Sequence, residues 1–208
     1  MKRIGSKHAG TDNRKKEIIQ AALECFTKAG TTNTSISDIC RKSKVSTGSL
    51  YHHFKSKENL AAAIYLEGIA MYQDGYVQAL EASTNARSGI FAVIAYHLDW
   101  VEQNTQWATF IVRERHAPFM GDNEYDLNRL NREFITKISG WFRRHIESGS
   151  IKRLPPELYQ IILMGPVQEY VKSHMLCGKK PDLAFVSQEL GKAAWAALKS
   201  LDTDRLKK

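Results

Sequence analysis

Apolar residues recur at three- and four-residue intervals through most of this chain, and strand-like alternation is nearly absent. That period marks helices with one buried face. A first helix spans about residues 12–29, with Ile18, Ala22, Cys25, Phe26 and Ala29 at helical spacing and Gly30 as its stop. Two short helices follow, and Ser56 caps a fourth that runs to about Ser83 through Leu60, Ile64, Met71 and Leu80. A fifth covers about Ser88–Gln103, and a sixth opens at Thr105 and ends before Pro118. A long seventh begins at Asp122 or Asn123, carries Leu127, Leu130, Phe134, Ile138, Trp141 and His145 along one face, and stops at Gly149. Pro155-Pro156 open an eighth, which Gly165-Pro166 should bend. Gly178 ends it, and a ninth runs from Pro181 to about Leu201. The fold class is therefore all-α, with about nine helices.

The segment Thr34–Leu60 is the most specific. Ser35 precedes Asp38 by three residues, a capping box that opens a helix on Ile36, Ile39 and Cys40. Lys44-Val45-Ser46 breaks the period. Ser46 then caps a second helix, with Val45 and Leu50 at the two positions of a hydrophobic staple. Two short helices held at a fixed turn form a helix-turn-helix, whose second helix can enter a DNA major groove.

Charge sharpens this picture. The chain is +8 overall, but residues 1–60 hold 12 Lys/Arg against 5 Asp/Glu, a surplus of +7. The remaining residues carry only +1. A surplus confined to the motif is an electrostatic footprint for phosphate. Without Lys2, Arg3 and Lys7, the segment still carries +4. No window of eighteen uncharged apolar residues exists, and no apolar core follows the basic N-terminus, so neither a membrane span nor a signal peptide is expected. Cys25, Cys40 and Cys177 are odd in number and unclustered, as in a reduced cytoplasmic protein. The expected domains are a disordered basic tail (1–11), a DNA-binding domain (12–60, motif at about 35–54), and a larger helical domain (61–208).

The block from Ile18 to Leu60 resembles the tetracycline-repressor-like (TetR/AcrR) family of bacterial transcription regulators. The resemblance rests on Phe26-Thr27-Lys28-Ala29-Gly30, Thr34-Ser35-Ile36, Asp38-Ile39, Val45 through Phe54, and Lys57-Glu58-Asn59-Leu60. Gly48-Ser49-Leu50-Tyr51-His52-His53-Phe54 followed by Lys57-Glu58 is its most specific part. The rest of the chain matches only in length and helical character. One departure is Lys44, where the family usually has glycine; a left-handed residue there costs about 1 kcal/mol. The resemblance implies a three-helix DNA-binding domain followed by a helical ligand-binding and dimerisation domain. It implies DNA contacts from Thr47, Gly48, Tyr51 and His52, a phosphate contact from Lys57, a small inducer in the second domain, and a homodimer formed by the last two helices.

The residues support these roles in part. Ser46, Thr47, Gly48 and Ser49 are small or polar, so backbone can approach a phosphate closely. Tyr51 and His52 fall on the outward side, while Leu50 and Phe54 face inward and His53 supports the helix from behind. Thr34 and Ser35 offer donors at the start of the first motif helix, and Lys44 places a cation in the turn. Lys57 sits where the helix dipole is positive, which suits a lysine that meets phosphate. Beyond the motif, Tyr72, His97, Trp100, Trp107, Phe110, Arg113, Trp141, His145, Gln168, Glu169 and Tyr170 are candidates to line an apolar ligand pocket. Phe185, Leu190, Gly191, Ala194, Ala197 and Leu198 are candidates for a dimer face, because small residues let a second helix approach. No catalytic signature, metal-ligand set or cofactor loop is present, so no cofactor, metal or enzymatic activity is expected. The expected function is a repressor released from a pseudo-palindromic operator by a small molecule. An activator, an architectural DNA binder, and a helical enzyme with a DNA-binding head are the alternatives.

Overall fold

The computed structural model describes residues 6–118, 121, 124–178 and 182–200. Among the described residues there are nine α-helices: α1 (Ser6–Ala29), α2 (Ile36–Ser43), α3 (Thr47–His53), α4 (Lys57–Glu81), α5 (Ala86–Gln103), α6 (Thr105–Glu114), α7 (Glu124–Glu147), α8 (Pro156–Tyr170) and α9 (Leu183–Leu198). The described residues form no strand beyond a single bridge between Ile151 and Lys199. The all-α expectation holds. α1 begins at Ser6, so part of the expected disordered tail is helical. The expected start of the seventh helix at Asp122 or Asn123 and of the ninth at Pro181 lie outside the described residues. α9 itself is capped by Asp182, whose Oδ1 accepts from the Phe185 amide.

The chain folds as two compact units, and they divide differently from the sequence boundary at residue 60. The first comprises residues up to Ile69 together with Gln106–Leu127; the second comprises Ala70–Thr105 and everything from Asn128 onward. α4 is one continuous helix that contributes to both.

The core of the first unit is built from Ile18, Ala22, Leu23 and Phe26 of α1, Ile39 of α2, Leu50 of α3, and Leu60, Ala61 and Ile64 of α4, all fully buried. α6 completes it. Phe110 stacks on Phe26 at 5.9 Å between ring centroids. Trp107 lies over Gly68 of α4, where a Cβ would come within 2.6 Å of the indole. Arg113 donates to the carbonyls of Phe26 (3.2 Å) and Thr27 (3.1 Å) at the end of α1, the first of which also accepts from the Gly30 amide at 2.8 Å. Thr31 donates to Glu114 at 2.9 Å.

In the second unit, α5 is the central helix. Its buried stripe is Ile90, Val93, Ile94, His97, Leu98 and Val101. α9 packs closely on it, with Gly191 against the Phe91 ring. Trp141 of α7 fills the space over Gly89. The C-terminal end of α9 is tied to the loop before α8 by the Lys152 amide donating to the Leu198 carbonyl, 3.0 Å. α8 continues through Pro166 without a break; Pro166 is exposed, so water can serve the carbonyl that the ring leaves unbonded. The irregularity comes later, as a wider π-helical turn over Val171–Met175.

Candidate nucleic-acid interface and ligand site

The helix-turn-helix is built by local chemistry. The Ser35 Oγ accepts from the Asp38 amide (3.1 Å), and the Asp38 carboxylate accepts from the Ser35 amide (3.2 Å), completing the capping box. The Ser35 hydroxyl also donates to that carboxylate at 2.6 Å, and this bond, followed by the one from the Ser35 amide, holds the Asp38 carboxyl below its ordinary range. Lys44 ends α2 in the left-handed region, φ 57° and ψ 28°, the conformation that favours glycine. Ser46 caps α3 by accepting from the Ser49 amide at 3.2 Å. Val45 and Leu50 are both buried, as a staple requires.

This packing turns one side of α3 inward and leaves the other open. Leu50 and Phe54 are buried, while Ser46, Thr47, Gly48, Tyr51 and His52 are exposed, with Tyr51 at 47%. Gly48 has an ordinary φ, and a Cβ added there meets nothing within 4 Å. The fold itself therefore does not need glycine at this position. His53 is half-buried, with its ring 6.3 Å from that of Phe54. Ser49 is half-buried, and Ser35 is exposed.

The cations of the motif fall into two groups. Lys42 pairs with Glu24 at 2.6 Å, which lowers the pKa of Glu24 and raises that of Lys42. Arg41 pairs with Asp38. Lys44 and Lys55 are exposed, and no ion pair among the described residues engages either. Lys55 escaped the sequence reading; its signal was a basic residue directly after the recognition helix.

Two expected DNA contacts have other partners. Thr34 is buried, and its hydroxyl donates to the carbonyls of Gly30 (2.8 Å) and Cys25 (3.3 Å), so it is not available to a phosphate. Lys57 reaches back across the motif and donates to the carbonyls of Thr34 (3.0 Å) and Thr32 (3.3 Å). It braces the loop that leads into α2. Cys25 has its thiol pKa raised by burial, the opposite of a reactive thiolate.

The expected ligand residues separate. Trp107, Phe110 and Arg113 belong to the first unit, where they pack on α4 and α1 as described. Gln168 and Glu169 are exposed on α8 rather than turned inward. Tyr170 stacks on His174 at 4.7 Å. Trp141 and His145 meet edge-on at 4.4 Å.

Tyr72, His97 and Trp100 do come together. The Tyr72 hydroxyl and His97 Nδ1 are 2.8 Å apart, and the Trp100 ring lies 5.2 Å from that of Tyr72. Burial lowers the His97 pKa to about 4, so the imidazole is neutral at pH 7. Around them lie Tyr96, an aromatic expected at the pocket, and residues that sequence reasoning missed: Tyr76, Phe134 and the Gln73–Asn131 amide pair, 2.9 Å. Tyr72 and Tyr76, four residues apart on α4, were the available signal. A groove of about 800 Å³ lies apart from them, between α7 and α8, lined by residues including Ile135, Ile138, Phe142, Tyr159 and Gln160. Among the described residues no three His, Cys, Asp or Glu side chains are grouped to hold a metal, and no helix is long and apolar enough to cross a membrane.

The expected dimer face also divides. Gly191, Ala194 and Leu198 are buried within the chain, because this side of α9 packs on α5. Leu190 and Ala197 are half-buried, and Phe185 is 64% exposed.

Known proteins agree with this arrangement. Residues 18–64 match the sequence profile of the family described as "Bacterial regulatory proteins, tetR family". The Transposon Tn10 TetC protein of Escherichia coli is 27% identical over 151 residues, which are 72% of this chain and 74% of that protein. A TetR family transcription regulator from Marinobacter aquaeolei VT8 superposes with a TM-score of 0.76 at 16% identity, covering 93% of this chain and 99% of that one. The transcriptional regulator FadR from Bacillus subtilis, solved in complex with stearoyl-CoA, superposes with a TM-score of 0.73 at 22% identity, covering 87% and 97%. The profile falls on the helix-turn-helix and the likeness in fold extends over most of the chain, so this protein resembles the tetR family of bacterial regulatory proteins.

Proposed function

We propose that this protein is a non-catalytic, cytoplasmic transcriptional repressor that binds a two-fold operator as a homodimer and leaves it when a small molecule occupies the second unit. The observation that carries the DNA-binding part is the outward face of α3. It presents Thr47, Gly48, Tyr51 and His52 to solvent while Leu50 and Phe54 anchor it. Ser35, Ser46, Lys44 and Lys55 extend the same polar surface toward phosphates. Ligand control is supported by the structural relative with stearoyl-CoA and by the polar interior around Tyr72 and His97. α4 is the covalent route between the units. A ligand that prefers the non-binding conformation about 100-fold supplies roughly 2.7 kcal/mol of coupling, and linkage requires operator DNA to weaken that ligand equally.

For the dimer, the supporting face is the one α5 does not use. It consists of Ile161 (61% exposed) on α8 and Phe185, Ala193 and Ala196 on α9. Ala196→Glu should therefore split the dimer in sedimentation, and Ala194→Glu should instead harm folding.

Selection from random duplexes tests the main reading. The retained sequences should share half-sites about 34 Å apart or a multiple of that, and log K should fall steeply with log salt. Equal affinity for every duplex would overturn it.

A further inference from the structure

We propose that the α7–α8 groove of the second unit is a binding site for an uncharged, mostly apolar molecule bearing one hydrogen-bond-accepting oxygen, such as a medium-chain ketone or ester, received by the Tyr76 hydroxyl and the Gln160 amide. The proposal deepens the ligand-released reading above and rests on it for its biological meaning.

Three buried polar atoms in the described structure have no hydrogen-bond partner: the Tyr76 hydroxyl, Gln160 Nε2 and His97 Nε2. All three belong to the second unit. Tyr76 is only 1% exposed. Buried polar groups are ordinarily paired, so three such atoms in one unit call for a partner. Their chemistry says which kind. The Gln160 nitrogen is a donor only, and a phenol hydroxyl donates. In the tautomer in which the Tyr72 hydroxyl donates to Nδ1, neutral His97 carries its proton on Nε2 and is a donor as well. The phenol oxygen can accept from the Gln160 amide, but the phenol hydrogen finds no acceptor.

The three are neighbours in the fold. The Tyr72 ring touches both the Tyr76 ring, at 6.1 Å, and the His97 ring, at 5.5 Å. Burial raises the Tyr76 hydroxyl far above its ordinary range, and the Gln160 amide lies near enough to temper that rise without making a hydrogen bond of ordinary geometry. Gln160 also forms part of the groove wall. It therefore joins the unpaired donors to a space large enough for a small molecule.

The groove sets the remaining chemistry. Ile135, Ile138, Phe142, Ile146 and Leu154 give it apolar walls, and its volume is ordinary for a small-molecule site. Its charged residues are Arg143, Arg153, Glu147 and Glu157, two of each sign, so no net charge selects an ionic head group. None of the three unpaired groups is a cation, so a carboxylate beside them would be left without a counter-ion.

The test compares 2-decanone, n-decane and decanoate on the full-length protein, by calorimetry and tryptophan fluorescence. The ketone should bind at least about tenfold more tightly than the alkane or the carboxylate, the value of roughly one well-made hydrogen bond. Tyr76→Phe and Gln160→Leu should each erase most of that preference. Tyr76→Phe should melt no lower than the parent, because it removes an unpaired hydroxyl rather than a formed bond. It alone decides the matter if Gln160→Leu does not fold. Absence of a ketone preference, or its survival in Tyr76→Phe, overturns the proposal and leaves the donors to water. Operator binding separates the two ideas. A ketone that binds without loosening operator DNA keeps the site and removes the release mechanism. A compound that releases operator but ignores Tyr76 and Gln160 does the reverse.

Discussion

The two units treat buried polarity in opposite ways. In the first, the hydroxyl of buried Thr34 meets two carbonyls, Lys57 closes two more, and Arg113 serves the end of α1. In the second, Tyr72 and His97 satisfy one another, yet three buried polar atoms remain unpaired. Leaving such a group without a partner costs about 1–3 kcal/mol, whereas a made bond returns about 1 kcal/mol. Among the described residues of the first unit, no buried side-chain polar atom is left without a partner. The second carries a deficit that a bound molecule can remove, which is the energetic requirement for a ligand to shift a population.

The comparison can be broken most severely in the first unit. Phe26→Ala empties a fully buried site against Phe110 and should cost about 3–5 kcal/mol in chemical denaturation, with loss of DNA binding. A loss below 1 kcal/mol would mean this core is loosely packed.

Acid should strain the second unit. The folded pKa of His97, about 4, lies below its ordinary 6.5, so the unfolded chain binds the extra proton first. This stability is fully present above pH 6.5 and is lost as pH falls toward 4, amounting to about 3 kcal/mol. Urea midpoints of the parent should fall over that window more than those of His97→Gln. Parallel curves would show that His97 is not held neutral.

Lys57→Ala removes a brace and should cost about 1 kcal/mol in stability, given that the side chain is only half-buried. The salt dependence of DNA binding should stay unchanged, because the ammonium is committed to carbonyls. A slope lower by about one would place it on a phosphate instead.

The smallest effect has two signs. Lys44→Gly relieves a left-handed residue and should stabilise the fold by about 0.5–1 kcal/mol. It should also weaken DNA binding and reduce the salt slope by about one if the cation meets a phosphate. A melting temperature that rises while affinity falls is the expected pair of readings.

How far each unit could be read from its residues follows the same division. The motif was legible because its determinants are local. Ser35 and Asp38, Ser46 and Ser49, and Val45 and Leu50 each lie within five residues of one another. The placement of α6 was not legible. Trp107, Phe110 and Arg113 have the composition of a pocket wall, but their partners Gly68, Phe26 and Thr27 lie far away in sequence. α9 misled for a related reason. Small residues such as Gly191 and Ala194 signal close approach of another helix without saying whose, and α5 of the same chain takes that place. The unpaired donors could not be read at all, since an unmade bond becomes visible only once every neighbour is in position.

The position of α6 has a consequence for synthesis. A ribosome finishes the helix-turn-helix early, yet the unit that contains it extends to Gln106–Leu127. Until Phe110 emerges, the fully buried face of Phe26 lacks the ring that stacks on it, and the Thr27 carbonyl waits for Arg113. The nascent DNA-binding segment therefore remains unfinished while α5 is translated. A chain stalled or cleaved near residue 70 would yield a fragment with the complete recognition motif and an open core, a target for chaperone or protease rather than a competitor for the operator.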